Sequence, residues 1–175
     1  MDELIARVRE VLSTTPDRWR TLTAAVELEL LERRPTPGEW SAVECLQHLL
    51  DTELGAFQAR LQAFLEGRDL TAFDPDADGS RPELAADPAV VAARFAEARA
   101  RSLASLAAVT EADLERTARH PELGQVTLRE MLNEWAGHDL MHTVQAERAV
   151  MQPFIAASGP WRSYFADHDA GASGR

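Results

Sequence analysis

Apolar residues recur along this chain at three- and four-residue spacing, the period of an amphipathic helix. With residues placed at about 100° each, Leu128, Met131, Leu132, Trp135, Ala146, Ala149 and Val150 share one stripe. Leu46, Leu50, Leu54, Phe57, Leu61 and Phe64 form another. Sustained alternation is nearly absent, and no Asn-Gly or Asp-Gly pair joins two apolar runs, so strands are not expected.

Punctuation divides the helical pattern into four segments. Ser41-Ala-Val-Glu44 and Thr127-Leu-Arg-Glu130 are capping boxes, flanked by Trp40 and Cys45 and by Val126 and Met131 as hydrophobic staples. Asp87-Pro88 and Thr15-Pro16 each pair a cap with a proline suited to the first helical position. Gly67 ends one helix and Gly159-Pro160 punctuates another. The expected helices cover about 2–31 (broken near Thr15-Pro16), 42–66, 88–108 and 127–152, the last ended by Pro153.

Two connections remain. The acidic segment 68–87 exceeds a tight helix–helix turn and is long enough to run the height of a bundle. The second and third helices then point the same way, giving an all-α four-helix bundle with one long crossover. The segment 109–126 holds a short capped stretch, Thr110-Glu-Ala-Asp113, followed by "RHPELGQ". One domain is expected over 1–166, with 167–175 as a flexible tail.

Composition narrows the function. The net charge of −11 excludes a nucleic-acid groove and an anionic membrane surface as partners. No apolar run spans a bilayer, and "MDELIARVRE" lacks the apolar block of a signal peptide. With the single Cys45, this leads us to expect a reduced, cytoplasmic protein. All 18 basic residues are Arg, which excludes lysine Schiff-base chemistry. The Arg and Ala bias leads us to expect a GC-rich bacterial genome as its source.

The candidate chemistry lies in "NEWAGHDLMHTVQAE", residues 133–147. His142 and Asp139 fall inside the apolar stripe of the fourth helix, and His138 and Gln145 lie on its shoulder. Buried polar groups cost free energy unless they are bonded. An i,i+4 His pair is either hydrogen-bonded scaffolding or a chelating pair aimed at one ion. A third ligand must come from elsewhere: His120 is in a loop, His168 is in the expected tail, and His48 is on the second helix. His48 projects roughly opposite the apolar stripe of its helix, beside the small residues Cys45, Thr52, Ala56 and Ala59. Periodicity leaves it either exposed or facing a cavity.

Asp139 has two readings. It accepts a hydrogen bond from a ligand histidine, or it pairs with an arginine of the third helix such as Arg94 or Arg101. Glu44 and Asp51, near His48, read as solvated helix face; Trp40, Trp135 and Met131 read as core or cavity lining. Cys45 reads as a small buried residue, with a low-pKa thiol as the alternative.

The ordered set "W-S-(x)₃-C-L-Q-H-L-(x)-D-(x)-E", "G-Q-V-T-L-R-E-M-L" and "H-D-L-M-H-T-V-Q" resembles the DinB-like (YfiT-like) metalloenzyme family over residues 5–152. The resemblance implies a four-helix bundle of up-down-down-up topology. It also implies one divalent metal (Zn, Ni or Fe) held by His48, His138 and His142. It further implies metal-dependent chemistry, either hydrolysis or transfer and isomerisation that depends on a low-molecular-weight thiol such as mycothiol. Other similar bundles are non-catalytic, and that reading stays open. A small-molecule substrate and a homodimer through the apolar stretch Phe154–Phe165 complete the expectations.

Overall fold

The computed structural model describes residues 3–74 and 87–172. Helix α1 spans Glu3–Ala25, the short α2 Leu28–Glu32, α3 Ala42–Thr52 and α4 Gln58–Glu66. A π-helical turn, Glu53–Phe57, joins α3 to α4 without interruption. Helix α5 spans Pro88–Leu106 and α6 spans Leu128–Ala157. A short 3₁₀ turn, Glu111–Glu115, lies between them, followed by a hairpin of β1 (Thr117–His120) and β2 (Gly124–Thr127).

The caps act as their chemistry requires. The Ser41 hydroxyl accepts from the Glu44 amide while the Glu44 carboxylate accepts from the Ser41 amide. Thr127 and Glu130 do the same for α6. Glu44 also pairs with Arg34, so it is a cap and an ion-pair partner and not a free face. Gly67, at φ 68°, closes α4 in the left-handed conformation that an L side chain resists.

Helix α1 is not broken at Pro16. Proline lacks the N–H that would bond the carbonyl four residues back, here Leu12. The Arg99 guanidinium, arriving from α5, donates to that carbonyl at 3.1 Å, so the helix continues with its orphan acceptor satisfied. The break falls instead between α1 and α2. Likewise α6 does not stop before Pro153 but runs on to Ala157. Beyond the proline Ile155 is buried, and packing of that turn holds the helix together.

Two further expectations are corrected. The connection 109–126 contains the antiparallel hairpin, paired from Thr117↔Thr127 to His120↔Gly124. Residues 167–172 are not free: Asp169 is buried and held by Arg162 at 2.6 and 3.0 Å, and Gln152 bonds the backbone of His168 and Ala170. Residues 173–175, and most of the expected crossover, lie outside the described residues.

The core is two apolar clusters with a polar layer between them. One cluster takes Leu12 and residues before it from α1, Phe57–Phe64 from the α4 end, Leu106 from α5 and Leu128–Trp135 from α6. The other takes Trp19, Leu46–Leu50, Val91–Ala98 and Ala146. Read along each helix, α1 and α6 run from the first cluster to the second, whereas α3–α4 and α5 run from the second to the first. The topology is therefore up-down-down-up, and the parallel second and third helices require the long connection between them. Helix α1 packs on α5 and α6, and α3 packs on the same two, so the first and second helices face each other across a diagonal. Among the described residues no helix is long and apolar enough to cross a membrane.

Candidate metal centre

The polar layer contains His48, Glu53, Arg99, Asp139 and His142, all buried, with His138 at its edge. Three imidazoles converge there. His48, on α3, and His138 and His142, one turn apart on α6, each offer a ring nitrogen, and these nitrogens lie within 4.8 Å of one another. His48 Nε2 and His138 Nε2 are 3.0 Å apart. The Gln145 carbonyl oxygen lies 2.9 Å from His142 Nδ1. That oxygen only accepts, so Nδ1 carries the proton and the Nε2 lone pair of His142 is left free.

The layer keeps all three rings neutral. Burial is the first cause in each case, reinforced for His48 by the nearby His142 and for His138 by both other histidines and by Arg99. His48 is brought down to about 4 and His138 to about 3. His142 is also lowered by burial, against the opposing pulls of the Gln145 hydrogen bond and the Asp139 charge. The Trp40 ring stands 4.8 Å from His48 and 5.6 Å from His142, and Phe57 meets His138 edge-on at 5.3 Å, so aromatic surface walls the cluster from water.

Asp139 does not bond a histidine ring; its carboxylate is taken by Arg99, Nη1 to Oδ2 at 2.6 Å and Nη2 to Oδ1 at 2.9 Å. The arginine is neither Arg94 nor Arg101. Arg99 also donates to both oxygens of Glu53 at 3.0 and 2.8 Å, and Trp135 Nε1 adds a bond to Glu53 at 3.2 Å. One guanidinium thus joins all four bundle helices: it stands on α5 and reaches Leu12, the π turn after α3, and α6. Arg99 was visible in the sequence, since it shares the i,i+4 rhythm of Val91, Phe95 and Ser102.

The remaining candidates fall into place. His48 faces inward and is 6% exposed, which decides between the two placements that periodicity left open. Cys45 is fully buried and its thiol is pushed up to about 12 by desolvation and by Glu44, which excludes the low-pKa thiol. Asp51 accepts from Gln47, and burial raises its carboxyl. Trp135 stacks on Phe57 in the core. His120 and His168 lie outside the three-histidine cluster.

The family model of the DinB superfamily matches residues 11–146, which contain the three histidines. The chain belongs to the DinB superfamily. Among solved structures it is similar to YfiT from Bacillus subtilis, described as a probable metal-dependent hydrolase with an unusual four-helix bundle topology. The two are 21% identical, with a TM-score of 0.73 over 85% of this chain and 87% of that one. A DinB-like protein from the same organism is also 21% identical, with a TM-score of 0.53 over 82% and 90% of the two chains. No curated protein matches the sequence. These likenesses establish the DinB bundle; the chemistry rests on the centre itself.

Proposed function

We propose that this DinB-superfamily chain is a metal-dependent enzyme whose centre is one divalent ion held by His48, His138 and His142. The carrying observation is the convergence of three neutral imidazoles in a buried layer, with the His142 lone pair directed by Gln145. His48 Nε2 and His138 Nε2, 3.0 Å apart, are near enough for one neutral ring to donate to the other, and the same two nitrogens offer their lone pairs to one ion when each ring carries its proton on Nδ1. Three imidazoles suit Zn, Ni or Fe and leave an open position, the donor set of a catalytic site. When bound, such an ion supplies Lewis acidity, drawing the pKa of a coordinated water or thiol towards neutrality.

The chain's own residues supply the rest. Gln145 orients His142, Trp40 and Phe57 exclude bulk water, and the Arg99 network sets the positions of α3 and α6. Asp139 is occupied by Arg99 and is not assigned as a general base. Hydrolysis is the reaction class we favour, supported by the description of YfiT. Transfer to a low-molecular-weight thiol is the second reading, in which the thiol is supplied from outside because Cys45 is inert. Metal analysis of the protein purified without chelator tests the centre: about one divalent ion per chain is expected. An ion-free protein that fails to take up Zn, Ni or Fe would sink the proposal. Ester and amide hydrolysis, assayed beside thiol addition to a model electrophile, decides the reaction class.

A further inference from the structure

A second polar convergence lies one turn from the centre. Arg60, on α4, sits one turn beyond Phe57, the ring that packs against His138. Its Nη2 lies 3.5 Å from His120 Nε2 on the hairpin. At first sight this is a hydrogen bond, but the tautomer says otherwise. The backbone N–H groups of Glu122 and Leu123 both point at His120 Nδ1, at 3.2 and 3.3 Å, and a backbone N–H can only donate. Nδ1 is therefore the acceptor and the ring proton is on Nε2. Two N–H donors face each other with no acceptor between them.

Arg60 has a further deficit. Its Nε is buried without a hydrogen-bond partner, although its charge acts on the Glu134 carboxyl across the same cavity. A buried N–H donor without a partner is costly unless an acceptor arrives. Both donors border a cavity of about 240 Å³ whose wall is otherwise mostly apolar, formed by Leu70, Leu123, Val126 and Met131. Glu130 and Glu134 also border it. Glu130 is engaged by its Thr127 cap, and burial raises the Glu134 carboxyl.

We propose that this cavity binds the carboxylate end of a small amphipathic substrate. One oxygen lies between Arg60 and His120, and the apolar body rests on Leu70, Val126 and Met131. Arg60 supplies one positive charge, on which Glu134 also draws, so the ligand carries no more than a single negative charge, and the two neighbouring acids oppose a dianion such as a phosphate monoester. The cavity volume limits the ligand to a small one. Glu134 is one turn before His138 on α6, so a ligand anchored here extends towards the three histidines. Its relevance to catalysis rests on the metal-enzyme reading; its binding does not.

The test is an NMR titration of the chelator-treated, metal-free protein with 3-phenylpropanoate, 3-phenylpropanamide and 2-phenylethyl phosphate. The carboxylate should bind on the order of tenfold more tightly than the amide, and more tightly than the phosphate. Arg60→Gln should remove the preference over the amide while changing amide binding less than about twofold, and Arg60→Lys should restore part of it. His142→Ala should leave the preference intact. Equal binding of acid and amide by the wild type, or tighter binding of the phosphate, overturns the proposal without recourse to any variant. A preference that survives Arg60→Gln overturns it as well. Because the protein is metal-free, a failed metal analysis with a retained preference removes the metal centre alone, and the reverse result removes this subsite alone.

Discussion

Arg99 and Asp139 form a bidentate ion pair in the middle of the bundle, fully enclosed and shared with Glu53. Two carboxylates flank one guanidinium, so burial alone lowers the arginine pKa, while its hydrogen bonds and charges with Asp139 and then Glu53 overcome that and raise it. The pair holds α5, α6 and the π turn in one register, and the histidines of α3 and α6 are placed by the same helices.

Replacing Arg99 with Met should therefore be severe. It leaves Glu53 and Asp139 buried without their counter-charge, a defect that costs about 3–5 kcal/mol. Urea unfolding of R99M measures it. The triple change Arg99→Met, Glu53→Gln, Asp139→Asn should recover much of the loss, and failure of that recovery would show that packing matters more than charge.

The proposed metal centre should depend on one residue outside the three histidines. Gln145→Leu removes the acceptor that fixes the His142 tautomer. Metal affinity should fall by about 10–100-fold, the range for partners of ligand histidines, with stability little changed. His142→Ala should lose the ion outright. A competition titration with a chromophoric chelator separates the two, and undiminished affinity in Gln145→Leu would dismiss the tautomer argument.

Acid should destabilise the metal-free protein early. The folded pKa of His48 is depressed from 6.5 to about 4, so below 6.5 the unfolded chain takes up a proton that the folded chain refuses. Stability is fully present above 6.5, and it is lost as pH falls from there towards the folded value. At about pH 5 the loss from His48 alone is about 2 kcal/mol. Denaturant unfolding of wild type and His48→Gln from about pH 7 to about pH 5 checks this, and the variant should show the shallower slope. Parallel slopes would reject it.

Pro16 and Arg99 should be energetically coupled. Pro16→Ala restores an N–H able to bond Leu12, the acceptor that Arg99 now uses. The substitution should help the Arg99→Met background more than the wild type, by about 1 kcal/mol in a double-mutant cycle. Strict additivity would mean that the Leu12 carbonyl is indifferent to its donor.

Much of this was legible in the sequence, for reasons that differ by residue. Ser41, Thr127, Asp87 and Gly67 announce their helix ends because capping is local chemistry. His138 and His142 announce themselves as polar interruptions of a clean stripe. His48 did not, because a single stripe drawn from Leu46 to Phe64 assumes one unbroken α-helix. The π turn adds a residue and puts the two halves out of phase, so Leu54, placed on the stripe, is 44% exposed while His48 is buried. Pro16 and Pro153 misled in the opposite direction, since tertiary partners outweighed a strong local signal. The hairpin strands, four residues each, are too short to show a period.

The same π turn separates His48 from Arg60 along what is otherwise one helix. A widened turn absorbs one extra residue, so the two halves keep their facing in space while the sequence period slips by about 100°. Removing one residue from 53–57 should therefore give regular winding with His48 and Arg60 on their present faces, and disturb chiefly the turn's own residues, Glu53 among them. Glu53 is held by Arg99, so length at this turn acts on the buried charge network and not on the bearing of the Arg60 cavity.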